Sequence, residues 1–419
     1  MNLILERAPA AIQVPSLKTP LPMQYLGGKS RIAANILGSI QKHFSGNIFI
    51  DLFAGSGVVS HLAMTKGYKV IANDLQPYSS AVLNSLLCTP ITGLKNLASN
   101  LSTVSTNDLF SSGREIYGQD YRQELEFISQ SETNSLSWEK YKEFCESTSL
   151  CSGSTDEVAR LKKMGNWNLF LAYYRNTYFG VRQAAEIDFL RELSSKLNEN
   201  LKTHLIASTI SALTFCVSST THLAQYLKPS SHNSATNLIK RRSKSIIELV
   251  TIRLLMLAQL TRSKSGRVYN EDFLKATHSI APNANSVIYA DPPYFKEHYS
   301  RYYHILDTFT LYDFPQLTYN PRLSKTTVGR YREERLTSDF GKKSKVKSAF
   351  ANLIELTVHY GSPLAISYAS SSLVPKNYFH ELADKHNIKL HTYEFELVHT
   401  GQGQPRHKEV TEYLFYYAQ

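Results

Sequence analysis

The stretch Gly46–Asp74, GNIFIDLFAGSGVVSHLAMTKGYKVIAND, decides the fold. Gly46–Phe53 is a short run of β-branched and aromatic residues that stops at Ala54-Gly55-Ser56-Gly57. The next segment, VVSHLAMTKG, reads as a helix closed by Gly67, and Tyr68–Ala72 (YKVIA) reads as a second strand ending at Asn73-Asp74. Strand, glycine turn, helix and strand make a βαβ unit. Upstream, Leu26–Phe44 opens on Gly27-Gly28 and then spaces Ile32, Ile36, Ile40 and Phe44 as a helix would, so it reads as a loop feeding a helix. Downstream the pattern changes from about Pro77 to Ser265. Ser99–Asp156 is rich in Ser, Thr and Asn, and Ile246–Leu260 is a strongly apolar helical stretch. The α/β rhythm resumes at Arg267–Tyr269, Ser286–Ala290 and Pro363–Tyr368. A helix at Phe379–His386 then precedes two strand-like runs, Lys389–Val398 and Glu409–Tyr417. The sheet is therefore expected to be split in sequence by a long insertion.

With 419 residues, 42% of them hydrophobic and 19% charged, the chain can bury a substantial core and still carry a large insertion. The formal charge of +11 suits a polyanionic partner and favours nucleic acid, although a solvated cationic surface gives the same count. Cys88, Cys145, Cys151 and Cys216 form no CxxC pair, which suggests neither a zinc site nor a disulfide framework. The N-terminal residues carry Glu6, Arg7 and three prolines, unlike a signal peptide, and no apolar run approaches bilayer length. A soluble, cytoplasmic protein with no membrane partner is expected.

Three motifs carry chemistry. In Asp51-Leu52-Phe53-Ala54-Gly55-Ser56-Gly57, the glycines allow positive φ and close approach of a ligand, and the following helix N-terminus offers unpaired N–H groups. Such a turn suits an adenosyl or nucleotide ligand. It can equally be plain structure, and it lacks the six-residue dinucleotide spacing. Asp74 ends the next strand about 20 residues on, where a carboxylate can accept both ribose hydroxyls or simply start a turn. The third motif, Asp291-Pro292-Pro293-Tyr294, follows the apolar strand SVIYA directly. Pro-Pro stiffens the strand extension, so the Asp291 carboxylate and the Pro292 carbonyl can face one amino group. An exocyclic adenine amine is a poor nucleophile because its lone pair is delocalised into the ring. Two acceptors pulling on its hydrogens encourage pyramidalisation, and Tyr294 offers a face for stacking an extruded base. The alternative is a proline-rich loop after a strand.

Tyr25-Leu26-Gly27-Gly28-Lys29, Phe53-Ala54-Gly55-Ser56-Gly57, Asp74, Glu271-Asp272-Phe273 and Asp291-Pro292-Pro293-Tyr294 follow in the order seen in Dam-like adenine-N6 DNA methyltransferases, which the chain resembles. The resemblance implies an α/β fold: a Rossmann-like, S-adenosylmethionine-dependent methyltransferase sheet with a large, mainly helical inserted target-recognition domain. Residues 20–80 and 266–419 would form the catalytic domain, 81–265 the inserted recognition region and 1–19 an N-terminal extension. Tyr25, Gly28 and Lys29 would hold the methionine end of S-adenosyl-L-methionine. Asp51, Phe53, Ala54, Gly55, Ser56 and Gly57 would shape its pocket, Asp74 would bind ribose, and Asp272 and Phe273 would meet the adenine. Asp291, Pro292, Pro293 and Tyr294 would bind and act on a flipped adenine in double-stranded DNA. S-adenosylhomocysteine would be the product and no metal would take part. A cognate restriction or defence system is a candidate partner, and the oligomeric state stays open.

Within the insertion, Arg175-Asn176-Thr177-Tyr178-Phe179-Gly180-Val181-Arg182 is similar to the family's Arg-Thr, Phe-Asn-Gly, Arg segment but lacks the Asn before the glycine. Gln24-Tyr25 also stands where smaller members carry Lys-Trp. Candidate DNA contacts are Arg175, Arg182, Lys240, Arg241 and Arg242, with Tyr302 and Arg330 in the connection after the Asp-Pro-Pro-Tyr motif, read as a lid or DNA clamp. Two rival readings are an RNA adenine-N6 methyltransferase and a DNA-binding regulator built on a degenerate methylase core.

Overall fold

The computed structural model describes residues 19–25, 27–148, 155–164, 167–220, 223–261, 265–293, 299–323, 325–398 and 409–418. Its centre is a seven-stranded sheet of β1 (Ile48–Asp51), β2 (Lys69–Asn73), β3 (Arg267–Tyr269), β4 (Ser286–Ala290), β5 (Leu364–Ala369), β6 (Lys389–Val398) and β7 (Glu409–Ala418). The strand order is β3-β2-β1-β4-β5-β7-β6, with β7 antiparallel to both of its neighbours and the other pairings parallel. All five residues of β4 and all six of β5 are buried, as continuous apolar runs covered on both faces should be. The Phe49 ring of β1 stacks on the Tyr289 ring of β4 at 5.9 Å between centroids, whereas Ile50 joins the opposite face with Ile288 and Phe415.

The register brings the carboxyl ends of four strands to one edge. Asp51 lies opposite Ala72 of β2 and Tyr289 of β4, and Asn73 lies opposite Tyr269 of β3. Between β1 and β4 the winding reverses, which opens a crevice beyond the strand ends where α/β folds take ligands.

Helices α1 (Ala33–Gln41), α2 (Val58–Thr65) and α3 (Pro77–Leu83) cover one face, bound into one apolar cluster with Phe49, Val70 and Ala72. The expected insertion is helical throughout its described elements. It includes α4 (Gly118–Glu132), α5 (Trp138–Thr148), α6 (Val181–Ser195), α7 (Glu199–Cys216), α8 (His232–Arg242) and α9 (Ile246–Leu257). Among the described residues it buries no separate core, because α7 packs on α3 and α9 and its residues belong to the same cluster as the sheet. The Ser- and Thr-rich stretch contributes α4 and α5, whose apolar faces are carried by Phe127, Tyr141 and Phe144. After β3 come α10 (Phe273–Ile280), α11 (His304–Leu311), α12 (Val346–Tyr360) and α13 (Lys376–Lys385). No helix among the described residues is long and apolar enough to cross a membrane.

Candidate active site

The pocket at the β1–β4 crevice is built first by backbone geometry. After β1 the chain turns through Gly55 (φ 51°) and Gly57 (φ 76°), conformations that an L side chain adopts only with strain. A Cβ on Gly55 would stand 3.1 Å from the Tyr25 ring, so this glycine leaves room for both the ring and the cleft. Gly57 has another job. It is the left-handed N-cap of α2, and a Cβ there would press on Leu83 and Leu86 at 3.0 and 3.1 Å; it does not line the pocket. Asp74 braces the turn, its Oδ2 accepting from Gly55 N at 2.8 Å and its Oδ1 from Gln76 N at 2.8 Å. Burial pushes the Asp74 carboxyl up, and these N–H donors oppose the shift.

Asn73 joins the turn to β3. Its amide donates to Leu52 O and Glu271 O, both at 3.1 Å, and accepts from Glu271 N at 3.1 Å. Asp272, exposed at the pocket rim, caps α10 by accepting from Leu274 N at 3.0 Å. Phe53 meets Phe273 at 5.7 Å and Phe340 at 5.2 Å, giving an apolar wall beside Asp272. On the other side Tyr25 stacks on Tyr303 at 5.0 Å with the rings 6° from parallel.

A buried charged cluster lies where β4 opens into the pocket. Lys29 Nζ is 2.8 Å from Asp291 Oδ1 and 3.1 Å from Glu412 Oε1, and Glu412 Oε1 also accepts from Ser367 Oγ at 2.8 Å. Burial pushes the Asp291 carboxyl up to about 6; Lys29 works against that rise and the Glu412 charge adds to it. Asp51, at the neighbouring strand end, is pushed up to about 7, chiefly by burial, while the Ser60 hydroxyl donating at 2.6 Å favours its charge. Pro292 is buried and Pro293 lines the pocket; Tyr294 lies outside the described residues.

The crevice thus gathers Tyr25, Gly28, Lys29, Asp51, Phe53, Ala54, Gly55, Ser56, Asp74, Asp272, Phe273, Asp291 and Pro293, all singled out in the sequence. Asn73, Phe340, Ser367 and Glu412 escaped that reading, since nothing in a strand or loop pattern marks a residue whose partner is remote in sequence. For Asn73 a local signal existed: it precedes Asp74 at the end of β2.

The proposed DNA contacts separate into two groups. Arg242 is buried and donates to Tyr141 Oη, Cys145 Sγ and Thr177 O, so its guanidinium is committed to holding α8 on α5 and cannot meet a phosphate. Arg330 is also buried, donating to the Tyr173 carbonyl, which corrects its reading as a clamp residue. Arg175 pairs with Asp120 at 3.0 Å and lies over the Tyr117 ring, while Arg182 pairs with Glu186 at 3.4 Å and donates to Ser243 O. Tyr302 is half-buried against the main core. Lys240 is exposed and, with Arg241, Lys228 and Lys244, lines a basic groove on α8; Arg241 also donates to Val217 O and Ser219 O.

Comparison with known proteins yields a family match over residues 25–388, to the D12 class N6 adenine-specific DNA methyltransferases. Among curated proteins, the type II methyltransferase M.FokI of Planomicrobium okeanokoites is 25% identical over 406 residues, 94% of this chain and 52% of that protein. The modification methylase StsI of Streptococcus sanguinis is 24% identical over 409 residues, 94% of this chain and 51% of its own length. The type II methyltransferase M.CviAII of Paramecium bursaria Chlorella virus 1 is 36% identical over 87 residues, 20% of this chain and 27% of that protein. The chain spans about half the length of the first two of these relatives, which match it over 94% of its own length.

Proposed function

Because the chain belongs to the D12 class of N6 adenine-specific DNA methyltransferases, we propose that it transfers the methyl group of S-adenosylmethionine to N6 of an adenine extruded from double-stranded DNA. The observation that carries this reading is that the glycine turn braced by Asp74 and the Asp291 carboxylate line one crevice at the winding reversal of the sheet. A methyl donor and an amine held there would be neighbours.

The pocket suits the cofactor. Gln76 Oε1 and Asp51 Oδ1 are buried without a hydrogen-bond partner among the described residues, and both residues line the crevice, so acceptors wait for hydroxyl or ammonium donors. Gly55 keeps the cleft open beside Tyr25, and Phe53 and Phe273 provide an aromatic wall for an adenine. When bound, the cofactor supplies an electrophilic methyl group on a sulfonium centre, a chemistry that calls for no metal. Asp291, with the Pro292 carbonyl beside it, accepts hydrogens of the substrate amine and stabilises the positive charge that grows on nitrogen. The base must leave the stack to reach this carboxylate, and Tyr294 is the residue proposed to stack on it. We assign DNA contact to the exposed Lys240 groove and sequence recognition to the helical region 81–265.

The experiment is methylation-sensitive sequencing of DNA from cells that express the protein. N6-methyladenine at a defined sequence is expected, and DNA indistinguishable from that of control cells would overturn the reading.

A second expected result concerns Asp74. Its carboxylate is an ionised acceptor for ribose and also holds Gly55 N, so Asp74→Ala weakens S-adenosylmethionine binding by about 1.5–3 kcal/mol, the range for hydrogen bonds to charged groups. Titration calorimetry on the folded variant reads this directly, and unchanged affinity would remove Asp74 from the site.

A further inference from the structure

Glu412 is 2% exposed on β7, the antiparallel strand that contributes no residue to the sequence motifs. Burying a carboxylate costs several kcal/mol unless it is paired and hydrogen-bonded, and Glu412 is both. Its Oε1 takes the Lys29 ammonium at 3.1 Å and the Ser367 hydroxyl at 2.8 Å. The same ammonium holds Asp291 Oδ1 at 2.8 Å, so the two carboxylate oxygens are at most about 6 Å apart, the sum of the two contacts. Lys29 takes one oxygen of Asp291 and leaves Oδ2 as the acceptor that can turn to a substrate.

We propose that Glu412 is a positioning residue for methyl transfer: it anchors Lys29 against β7, so that the shared ammonium orients Asp291 with one carboxylate oxygen left for the target amine. The proposal rests on the reading of Asp291 as the acceptor of that amine. The arrangement has a physical rationale. A lysine alone would be free to neutralise Asp291 in several rotamers, whereas one clamped between two buried carboxylates has one place to stand. Three charges in the cluster sum to −1, so Asp291 keeps its attraction for a nitrogen turning positive. Among the described residues, the charged or titratable groups around Asp291 are Lys29 before α1, Glu412 on β7, Tyr289 on β4 and Asp51 on β1.

The test is the pH profile of single-turnover transfer for Glu412→Gln. It uses tritiated S-adenosylmethionine, PCR-amplified genomic DNA that carries no modified bases, the full chain, and a parallel cofactor titration. Gln preserves the size and the acceptor for Ser367 but removes a negative charge close to Asp291. The acid limb of the profile is expected to move down by about one pH unit, because a like charge within about 6 Å has gone. The rate on the alkaline plateau is expected to fall about 10-fold as Lys29 loses its anchor, with cofactor affinity unchanged. A profile that superimposes on that of the parent protein would overturn the proposal. Ser367→Ala, which deletes a neutral donor to Glu412, is measured in parallel and decides the matter if Glu412→Gln does not fold; a plateau rate lowered several-fold at unchanged cofactor affinity supports the proposal, and the parental rate overturns it. An Asp291→Asn control separates the two levels. If that control transfers at near-normal rate, the reading of Asp291 itself has failed; if it is slow while both of the other variants behave as the parent, only the role of Glu412 has failed.

Discussion

Asp291→Asn is expected to slow single-turnover methyl transfer by roughly 10²–10³, the loss typical of removing one preorganised electrostatic partner from a reacting centre. The amine gives up conjugation as it attacks, so positive charge grows on nitrogen in the transition state and a fixed carboxylate gains more there than in the ground state. Asn keeps the size and one acceptor, but it loses the charge and can turn an NH₂ donor to the substrate. It also leaves Lys29 facing Glu412 alone, a pair that remains satisfied, so the fold should survive. Cofactor affinity should change little, since the braced glycine turn lies on β1 and β2. The pH profile gives a second check. Asp291 is pushed up to about 6 by burial, and its active form is the ionised one, so transfer by the parent rises with pH through about 6 and flattens above. In Asp291→Asn that limb should vanish. Near-normal transfer would sink the mechanism, and lost cofactor binding would move Asp291 into the cofactor site.

Lys29→Met should be the most destabilising change in the crevice. Lys29 is 6% exposed and is the cation shared by two buried carboxylates; without it the negative charges of Asp291 and Glu412 face each other. Breaking a buried pair by deleting one partner costs about 3–5 kcal/mol, because an uncompensated charge stays behind. The pH dependence has a definite sign. The Asp291 carboxyl is already raised above its unfolded value, so the stability linked to it is full below about 3.8 and is lost as pH rises through about 6. Removing the opposing lysine moves the upper end of that window to higher pH. The variant should therefore be hurt most above neutrality and recover part of its stability on acidification. Denaturant unfolding at pH 5.5 and pH 8 measures this; a loss that is small and equal at both values would show that the ion pair does not hold the site together.

The local parts of this protein were legible from its sequence. The βαβ unit shows in Gly46–Asp74 because parallel strands buried on both faces must be short apolar runs and because the turn after β1 needs glycine at positive φ. The strand-like runs Ser286–Ala290 and Lys389–Val398 coincide with β4 and β6, whereas Pro363–Tyr368 begins and ends one residue before β5 and Glu409–Tyr417 stops one residue short of β7; Asp291 follows from its place directly after the strand SVIYA. The clustering of Asp74, Asp291 and Lys29 is implied by the motif order but not by any spacing.

Long-range partners could not be read in that way. Arg242 and Lys240 sit two positions apart in one basic run, yet helical rotation buries the first under α5 and leaves the second in solvent. Arg330 looked like part of an exposed clamp until the Tyr173 carbonyl claimed it. A sequence records side-chain type and local period, which set strands, helices and glycine turns. Which charges stay free, and which, like Lys29 and Glu412, are drawn from opposite ends of the chain into one buried cluster, is decided only when the sheet order closes and burial makes every unpaired charge costly.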